Sequence, residues 1–376
     1  MSGSQSLREP GSLVRARLGL EREARMPPVD PFLTASIPGI GGRIRTTPED
    51  FQVAERPLYV PCGMGEHLYV RVTKRNLSTP ELVKRLSSTL GIKAQAIGVA
   101  GLKDARAVTT QMVSLLGVEA NRFAQMSTDD RVLAIEILGR HRNRLRTGHH
   151  AGNSFRLVIR DVADHASESV PRILEILARR GVPNYFGPQR QGREGKNYQT
   201  GAALLVDKDR RDKMSRATRL WYLNSYQSYL FNRMLARRID RLDRILIGDW
   251  AMKSDNGACF LVENADREQP RADRFEISPT GILFGSRVSW AAGEPGEIEQ
   301  AVVAEAGTTQ EQLVQAAKAC GFRGDRRPLR IQLTELKWSL EGSVLTVSFA
   351  LPPGAYATSV LRELLKTPEM SVGSSR

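Results

Sequence analysis

The sequence has few cysteines, no long apolar run and none of the common nucleotide-binding motifs. Its 3 cysteines, Cys62, Cys259 and Cys320, lie far apart without metal-binding spacing, which argues against a disulfide framework or a zinc ribbon. No run of about 18 apolar residues is present, so no membrane span is expected. A Walker A motif and a dinucleotide-binding glycine pattern are also missing. We therefore expect a protein of the reducing cytoplasm whose reaction needs no cofactor, neither a metal ion nor a nucleotide.

Positive charge is in clear excess. The 376 residues include 55 Lys and Arg against 41 Asp and Glu, for a net charge of +14. A polyanionic partner is the natural expectation, because each phosphate that is neutralised releases counterions. The densest basic segment spans residues 140–160 and holds no acid; its arginines are Arg140, Arg142, Arg144, Arg146, Arg156 and Arg160. These arginines favour contact with a nucleic-acid backbone, and the alternative is a solvated surface.

The element pattern predicts one α/β domain interrupted by an insertion, because two strand-rich stretches flank a charged, helix-rich middle. A helix is expected to begin with Thr79 as its N-cap and to end at Gly91. The N-terminal segment is polar and rich in arginine and lacks the apolar core of a secretory signal; Met26 is a candidate for the true start. We divide the chain into a basic tail (1–35), a catalytic domain (36–206 and 328–376) and an inserted domain (207–327).

Three segments combine residue types that could do chemistry. Asp104 lies between Lys103 and Arg106, which would keep its carboxylate ionised as a nucleophile requires; the alternative is an ordinary turn aspartate. Residues 184–190 mix aromatic, amide and arginine side chains suited to base stacking, or they form a core plug. Residues 352–359 deliver a tyrosine to a helix N-terminus that could hold an anion, or they simply connect a strand to a helix.

These segments resemble the signature blocks of the tRNA pseudouridine synthase D family. Five blocks occur in the order of that family between about residues 43 and 366, which makes the resemblance specific. The blocks are PEDF-x-V-x-E at 48–55 followed by G-x-G-x-H at 63–67, AGLKD-x-RAVTTQ at 100–111, GH-x-x-GN-x-F at 148–155, NYFG-x-QR at 184–190, and LP-x-G-x-YATS-x-x-RE at 351–363.

The resemblance implies an α/β (α+β) fold: a pseudouridine synthase catalytic domain with a mixed, largely antiparallel sheet, and a smaller inserted α/β domain. It also implies a cofactor-free monomer that isomerises uridine to pseudouridine, usually at uridine 13 of tRNA. The open alternatives are a non-catalytic RNA-binding protein on the same fold, a related synthase with a different RNA target, and a glycosylase that releases free uracil.

The resemblance assigns roles to particular residues. Asp104 corresponds to the nucleophile, Phe51 lies near the substrate, and Arg45 is the candidate partner of Asp104. In the NYFG block, Asn184 would read an edge of the uracil and Phe186 would stack on it. Tyr356 stands where the family commonly has phenylalanine, so its hydroxyl would need a partner.

The implied RNA-backbone contacts lie outside these blocks. They are Arg140, Arg142, Arg144, Arg146 and Arg156, together with a helix near 233–244. The sequence departs from the family pattern after the QR of the fourth block, where Gln191-Gly192 replaces Phe-Gly. This departure puts a packing role of the missing ring in doubt and leaves the chemistry unaffected.

Overall fold

The structure is a computed structural model that describes residues 30–124, 128–192 and 194–367. The strands are β1 (Arg43–Ile44), β2 (Phe51–Pro57), β3 (His67–Arg75), β4 (Ile97–Val99), β5 (Val108–Leu116), β6 (Val132–His141), β7 (His150–Arg160), β8 (Val182–Pro183), β9 (Trp250–Lys253), β10 (Cys259–Leu261), β11 (Ile277–Leu283), β12 (Asp325–Pro328), β13 (Arg330–Ile331), β14 (Thr334–Glu341) and β15 (Val344–Leu351). The helices are α1 (Thr79–Leu90), α2 (Ala120–Ala124), α3 (Ala166–Arg180), α4 (Asn197–Val206), α5 (Lys208–Asp212), α6 (Arg216–Arg238), α7 (Ala265–Asp273), α8 (Gly293–Glu305), α9 (Gln310–Cys320) and α10 (Ala357–Leu365).

The described residues divide into two compact units. One comprises residues 37–178 and 332–367, and the other comprises residues 30–36 and 179–331. We call them the nine-strand unit and the insertion unit. The predicted tail falls mostly on residues 1–29, outside the described part, and the predicted domain boundaries stay a prediction. Within the described ranges, no helix is both long enough and apolar enough to cross a bilayer.

The nine-strand unit is built on one mixed sheet. Its strand order is β14-β15-β7-β2-β5-β3-β6, with β1 paired to β7 and β4 paired to β5. Among the described strands of this sheet only β2 and β5 run parallel, with Gln52 opposite Val108. This arrangement confirms the prediction of a mixed, largely antiparallel sheet. Because parallel strands begin at the same edge, Phe51 and the loop that precedes Val108 meet there, and that loop contains Asp104.

Helix α1 covers one face of this sheet, and its start corrects the sequence-based prediction. The N-cap is Ser78 rather than Thr79, because the Ser78 hydroxyl accepts a hydrogen bond from Glu81 N and Glu81 accepts one from Ser78 N. Thr79 is instead buried and donates to Gln111 Oε1 over 2.9 Å. The predicted end at Gly91 is confirmed, since Gly91 adopts a left-handed φ of 62°.

The insertion unit contains a small sheet and a helical core. Its four-stranded sheet has the order β10-β9-β11-β12, and a separate two-stranded sheet joins β13 to β8. Helices α4 and α6 pack closely at Gly201, where a Cβ atom would lie 2.2 Å from Tyr222 O. Two ion pairs are buried in this unit, Arg238 with Asp249 and Arg326 with Glu299. The predicted α/β class is therefore confirmed, with strands and helices in both units.

A buried carboxylate joins the start of β2 to β7. Asp50 is 2% exposed and accepts two hydrogen bonds from the Arg160 guanidinium, at 3.0 and 2.8 Å. Asp50 Oδ2 also accepts a bond of 3.0 Å from Thr47 N. Hydrogen bonding to Arg160 holds the pKa of Asp50 below its ordinary value, although burial opposes this shift. Asp50 therefore orients the turn that leads into Phe51.

We expect Asp50→Asn to lower the free energy of unfolding at pH 7 by about 1–3 kcal/mol, the usual worth of charge-assisted hydrogen bonds. A carboxylate with a lowered pKa stabilises the fold above its unfolded pKa, near 3.8, and this contribution is lost as the pH falls through the folded value. The difference in unfolding free energy between wild type and variant should therefore become smaller below about pH 4. Urea unfolding at several pH values would measure this difference, and a difference that does not change with pH would contradict the role of the Asp50 charge.

Candidate active site

Asp104 lies on the loop between β4 and β5 and points toward solvent. Its side chain is 61% exposed, and its Oδ2 atom is 2.8 Å from Arg45 Nη2. The Arg45 side chain is 20% exposed, so the cation is the more deeply set member of the pair. The structure thus presents a carboxylate that is open to a ligand on one side and held by a guanidinium on the other.

Arg45 is itself held in place by Phe51. The Arg45 Cζ atom lies 4.1 Å from the centroid of the Phe51 ring, within the range of a cation–π contact. Arg45 also adopts a positive φ of 57°, which is uncommon for a residue with a side chain. Phe51 is only 4% exposed. Its observed contact is therefore with Arg45, and its predicted place near the substrate stays a prediction.

The residue before Asp104 anchors the loop inside the unit. Lys103 Nζ forms an ion pair of 2.8 Å with Glu55 Oε2, and the two side chains are 6% and 0% exposed. The other Glu55 oxygen accepts a hydrogen bond from Met112 N, and Lys103 N donates to Thr79 Oγ1. With Lys103 fixed inward, its neighbour Asp104 is directed outward. Sequence reasoning missed this pair, although both residues stand within the family blocks.

A second lysine, Lys74, interacts electrostatically with Lys103 and Asp104 of the loop between β4 and β5. Lys74 is fully buried, and its ammonium group donates to the carbonyl oxygen of Leu77. Burial is the main cause that lowers the pKa of Lys74, to about 8, and the positive charge of Lys103 acts in the same direction. Asp104 and Glu81 oppose the shift. The charge of Lys74 is thus coupled to the loop that carries Asp104, and no sequence motif indicated it.

We expect the stability of the wild type to rise between about pH 8 and pH 10.5 through Lys74. In that range the unfolded chain binds a proton at this lysine that the folded chain has already lost, so higher pH favours the fold. Across this pH range the free energy of unfolding should increase by about 3 kcal/mol. Lys74→Met should remove that rise, which is measured as the difference in unfolding free energy between pH 8 and pH 10.5. An identical rise in both proteins would exclude Lys74 as its source.

The third and the last family blocks are packed into the same nine-strand unit as Asp104. Gly148 N donates to Ala100 O over 2.8 Å, which joins the third block to the second. At Gly152, with φ 135°, a Cβ atom would lie 2.3 Å from Leu351 O, so only glycine allows β7 to approach the last block this closely. Tyr356 follows as the N-cap residue of α10 and is 38% exposed. The sheet thus brings together blocks that are up to about 300 residues apart in sequence.

The NYFG block belongs to the insertion unit, where Asn184 and Phe186 share a partner. The Asn184 amide is 3% exposed; it donates to Pro328 O over 2.8 Å and accepts a hydrogen bond from Arg327. The Arg327 Cζ atom also lies 4.1 Å from the Phe186 ring centroid. Both polar groups of Asn184 are therefore engaged within this unit. Recognition of uracil by Asn184 stays a prediction, and so does stacking by Phe186.

The basic run divides into different local environments. Arg140 forms an ion pair with Glu119, and Arg144 donates to Ile97 O. Arg142 and Arg146 are exposed in the turn after β6, whereas Arg156 is exposed on β7. The run is thus not one continuous surface. The best candidates for phosphate contact are the exposed turn arginines.

The potential metal ligands are dispersed. In the portions of the chain that the structure describes, no group of three His, Cys, Asp or Glu residues could hold a metal ion. The expectation of a cofactor-free reaction stays a prediction.

Comparison with known proteins gives a consistent result. The family model described as tRNA pseudouridine synthase D matches residues 31–216 and 211–364. A tRNA pseudouridine synthase D of Syntrophotalea carbinolica is 41% identical, covering 89% of this chain and 99% of that protein. The corresponding protein of a Thermus thermophilus strain is 42% identical over 89% of this chain and 92% of its own length.

A solved structure supports the same relationship. It is the crystal structure of a Methanosarcina mazei protein assigned to tRNA pseudouridine synthase D. The two chains are 25% identical and superpose with a TM-score of 0.75, over 90% of this chain and 96% of the other. The similarity therefore extends across both compact units rather than being confined to short motifs.

Proposed function

The chain belongs to the tRNA pseudouridine synthase D family, and from that premise we propose that it converts uridine 13 of tRNA to pseudouridine with Asp104 as the nucleophile. The observation that carries this proposal is the exposed Asp104 carboxylate, held by Arg45 on a loop that the buried Lys103–Glu55 pair anchors. We further propose that it acts as a cytoplasmic monomer without a cofactor.

The arrangement around Asp104 suits a reaction that begins with an ionised carboxylate. The Arg45 guanidinium stabilises the negative charge, and the 61% exposure of Asp104 leaves it accessible to a sugar. A uridine that has left its stack would present its glycosidic bond to this carboxylate. Cleavage can proceed by attack at C1′ or by removal of a sugar proton.

The proposed reaction conserves every atom of the nucleoside. The bond between N1 and C1′ breaks, the uracil turns, and a bond forms between C5 and C1′. The proton of C5 is lost and N1 gains one, so the product has the mass of the substrate. Retention of the uracil distinguishes this reaction from that of a glycosylase, which would release the free base.

The aromatic side chains are proposed to hold the base. The half-buried Phe186 ring and the exposed Tyr356 ring both offer surface for stacking. Asn184 helps to position the Phe186 ring, because its hydrogen bond with Arg327 fixes the guanidinium that lies over that ring. Direct recognition of uracil by Asn184 would require one of its present hydrogen bonds to exchange.

The proposal is tested by mapping pseudouridine on an unmodified tRNA transcript with purified protein and no added cofactor. We expect wild type to modify uridine 13, and Asp104→Asn to reduce turnover at least about 1,000-fold while tRNA affinity stays near normal, since phosphate contacts dominate binding. Asp161→Asn is a matched control, because Asp161 is an exposed aspartate paired to Arg43 in the same unit.

Each alternative gives its own result in this assay. Full activity of Asp104→Asn would remove Asp104 from the mechanism. Release of free uracil would indicate a glycosylase, and pseudouridine elsewhere would indicate a different target. If the protein binds tRNA tightly but forms no pseudouridine in tRNA or in any other RNA, it would be a non-catalytic RNA-binding protein.

We also expect the exposed turn arginines to contact phosphates. The double variant Arg142→Ala and Arg146→Ala should make the negative slope of log K against log salt concentration shallower by about 1.4–1.8, because each phosphate contact contributes about 0.7–0.9 to its magnitude. The double variant Arg267→Ala and Arg274→Ala removes the same charge from arginines that are paired with acids in the insertion unit. An equal change of slope in both variants would show that net charge alone matters.

A further inference from the structure

Helix α6 presents an exposed tryptophan, whose one ring contact with another described aromatic residue is with its neighbour Tyr222. Trp221 is 50% exposed, whereas Tyr226 and Leu230, further along the same helix, are each 1% exposed and belong to the core. The neighbouring Tyr222 ring lies 4.9 Å away, centroid to centroid, at 55°. Large aromatic side chains are mostly buried in proteins. Tryptophan is enriched at binding interfaces relative to the rest of the protein surface.

Trp221 is linked to the loop that carries Phe186. Ser225 lies one helical turn beyond Trp221, about 6 Å along the axis. The Ser225 hydroxyl contacts Arg190 O at 2.6 Å and Trp221 O at 3.2 Å. The Arg190 Cζ atom lies 5.4 Å from the Phe186 ring centroid. Contacts within the insertion unit thus connect the backbone at Trp221 with the residue that lies over the Phe186 ring.

The segment before Trp221 is basic. Residues 207–219 contain six lysines and arginines against three aspartates, and Asp207 is used as the N-cap of α5. Three cations of this segment are exposed on the insertion unit: Lys208, Arg210 and Lys213. None of them forms an ion pair with another described residue. This segment is therefore available to a polyanion.

The arginines later on α6 contrast with this segment. Arg237 pairs with Glu305, Arg238 with Asp249, and the nearby Arg241 with Glu294. The sequence predicts that the helix near 233–244 contacts the tRNA backbone. These three arginines are paired with acids of the same unit, whereas Arg244 is exposed and in no ion pair with another described residue, so this contact stays a prediction. Lys208, Arg210 and Lys213, which precede Trp221 in the sequence, are exposed and are not balanced in this way by a described residue.

We propose that Trp221, with the basic segment 207–219, is a second RNA-contact surface, on which Trp221 stacks with an unpaired base of the tRNA that flanks the nucleotide held by Phe186. This inference rests on the proposed function, because it takes tRNA as the substrate. Basic side chains beside an exposed aromatic ring suit single-stranded nucleic acid, since the ring stacks on any base while the cations contact phosphates. The charge favours RNA over an apolar protein partner.

The test compares wild type with Trp221→Ala, Trp221→Phe and Trp338→Ala. Trp338 is a matched control, because it is 42% exposed and lies on β14 in the nine-strand unit. Binding to a tRNA transcript containing uridine 13 and the kinetics of pseudouridine formation are measured for each protein. Trp221→Ala should raise both Kd and KM about 5- to 100-fold, the range of one lost base stack, and leave kcat near that of wild type. Trp221→Phe should recover most of the loss, and Trp338→Ala should match wild type.

Two results separate this inference from the proposed function. If wild type is active and Trp221→Ala binds tRNA equally well, the second surface is excluded while the proposed function stands. If wild type forms no pseudouridine but RNA binding still depends on an aromatic ring at 221, the proposed function fails and the surface stands. A loss in Trp221→Ala that Trp221→Phe does not recover would exclude stacking and overturn the inference.

Discussion

The buried ion pair between Lys103 and Glu55 is the interaction on which the candidate site depends. Two charges with 6% and 0% exposed side chains are stable only because they bond to each other and to the surrounding backbone. Met112 N satisfies the second Glu55 oxygen. Removing either partner would leave an uncompensated charge in the interior. The pair therefore fixes the loop, and the next residue, Asp104, is turned to solvent.

Pairing also decides which of the many positive charges can meet a ligand. The chain has a net charge of +14, yet many arginines are used within the fold. Arg160 holds Asp50, Arg238 holds Asp249, and Arg326 holds Glu299. Exposed cations such as Arg146, in the turn after β6, and Lys213, shortly before Trp221 in the sequence, form no ion pair with another described residue and are therefore candidates to bind phosphate. A local count of basic residues does not separate these two classes, because the acids that neutralise them come from distant parts of the chain.

Much of the local structure could be predicted from the sequence, because turns and caps follow short-range rules. Gly91 ends α1 as expected, whereas the start of that helix was misplaced by one residue. Ser78 and Thr79 are both suitable N-caps, and the choice was made by long-range contacts of Thr79 with Gln111 and Lys103. Lys74 was missed for a similar reason, since nothing in an alternating strand marks one lysine as fully buried.

The sequence by itself determined the family, the α/β class and the identity of the candidate nucleophile, because five blocks of residues in a fixed order are a specific signal. Only the tertiary structure decided how those blocks meet. The parallel pairing of β2 with β5 helps to bring Arg45, which lies over the Phe51 ring, to Asp104. The folding of the insertion unit places Asn184 in contact with Arg327, 143 residues away. Pairings between residues so far apart depend on strand register and packing, and no local pattern of side chains specifies them.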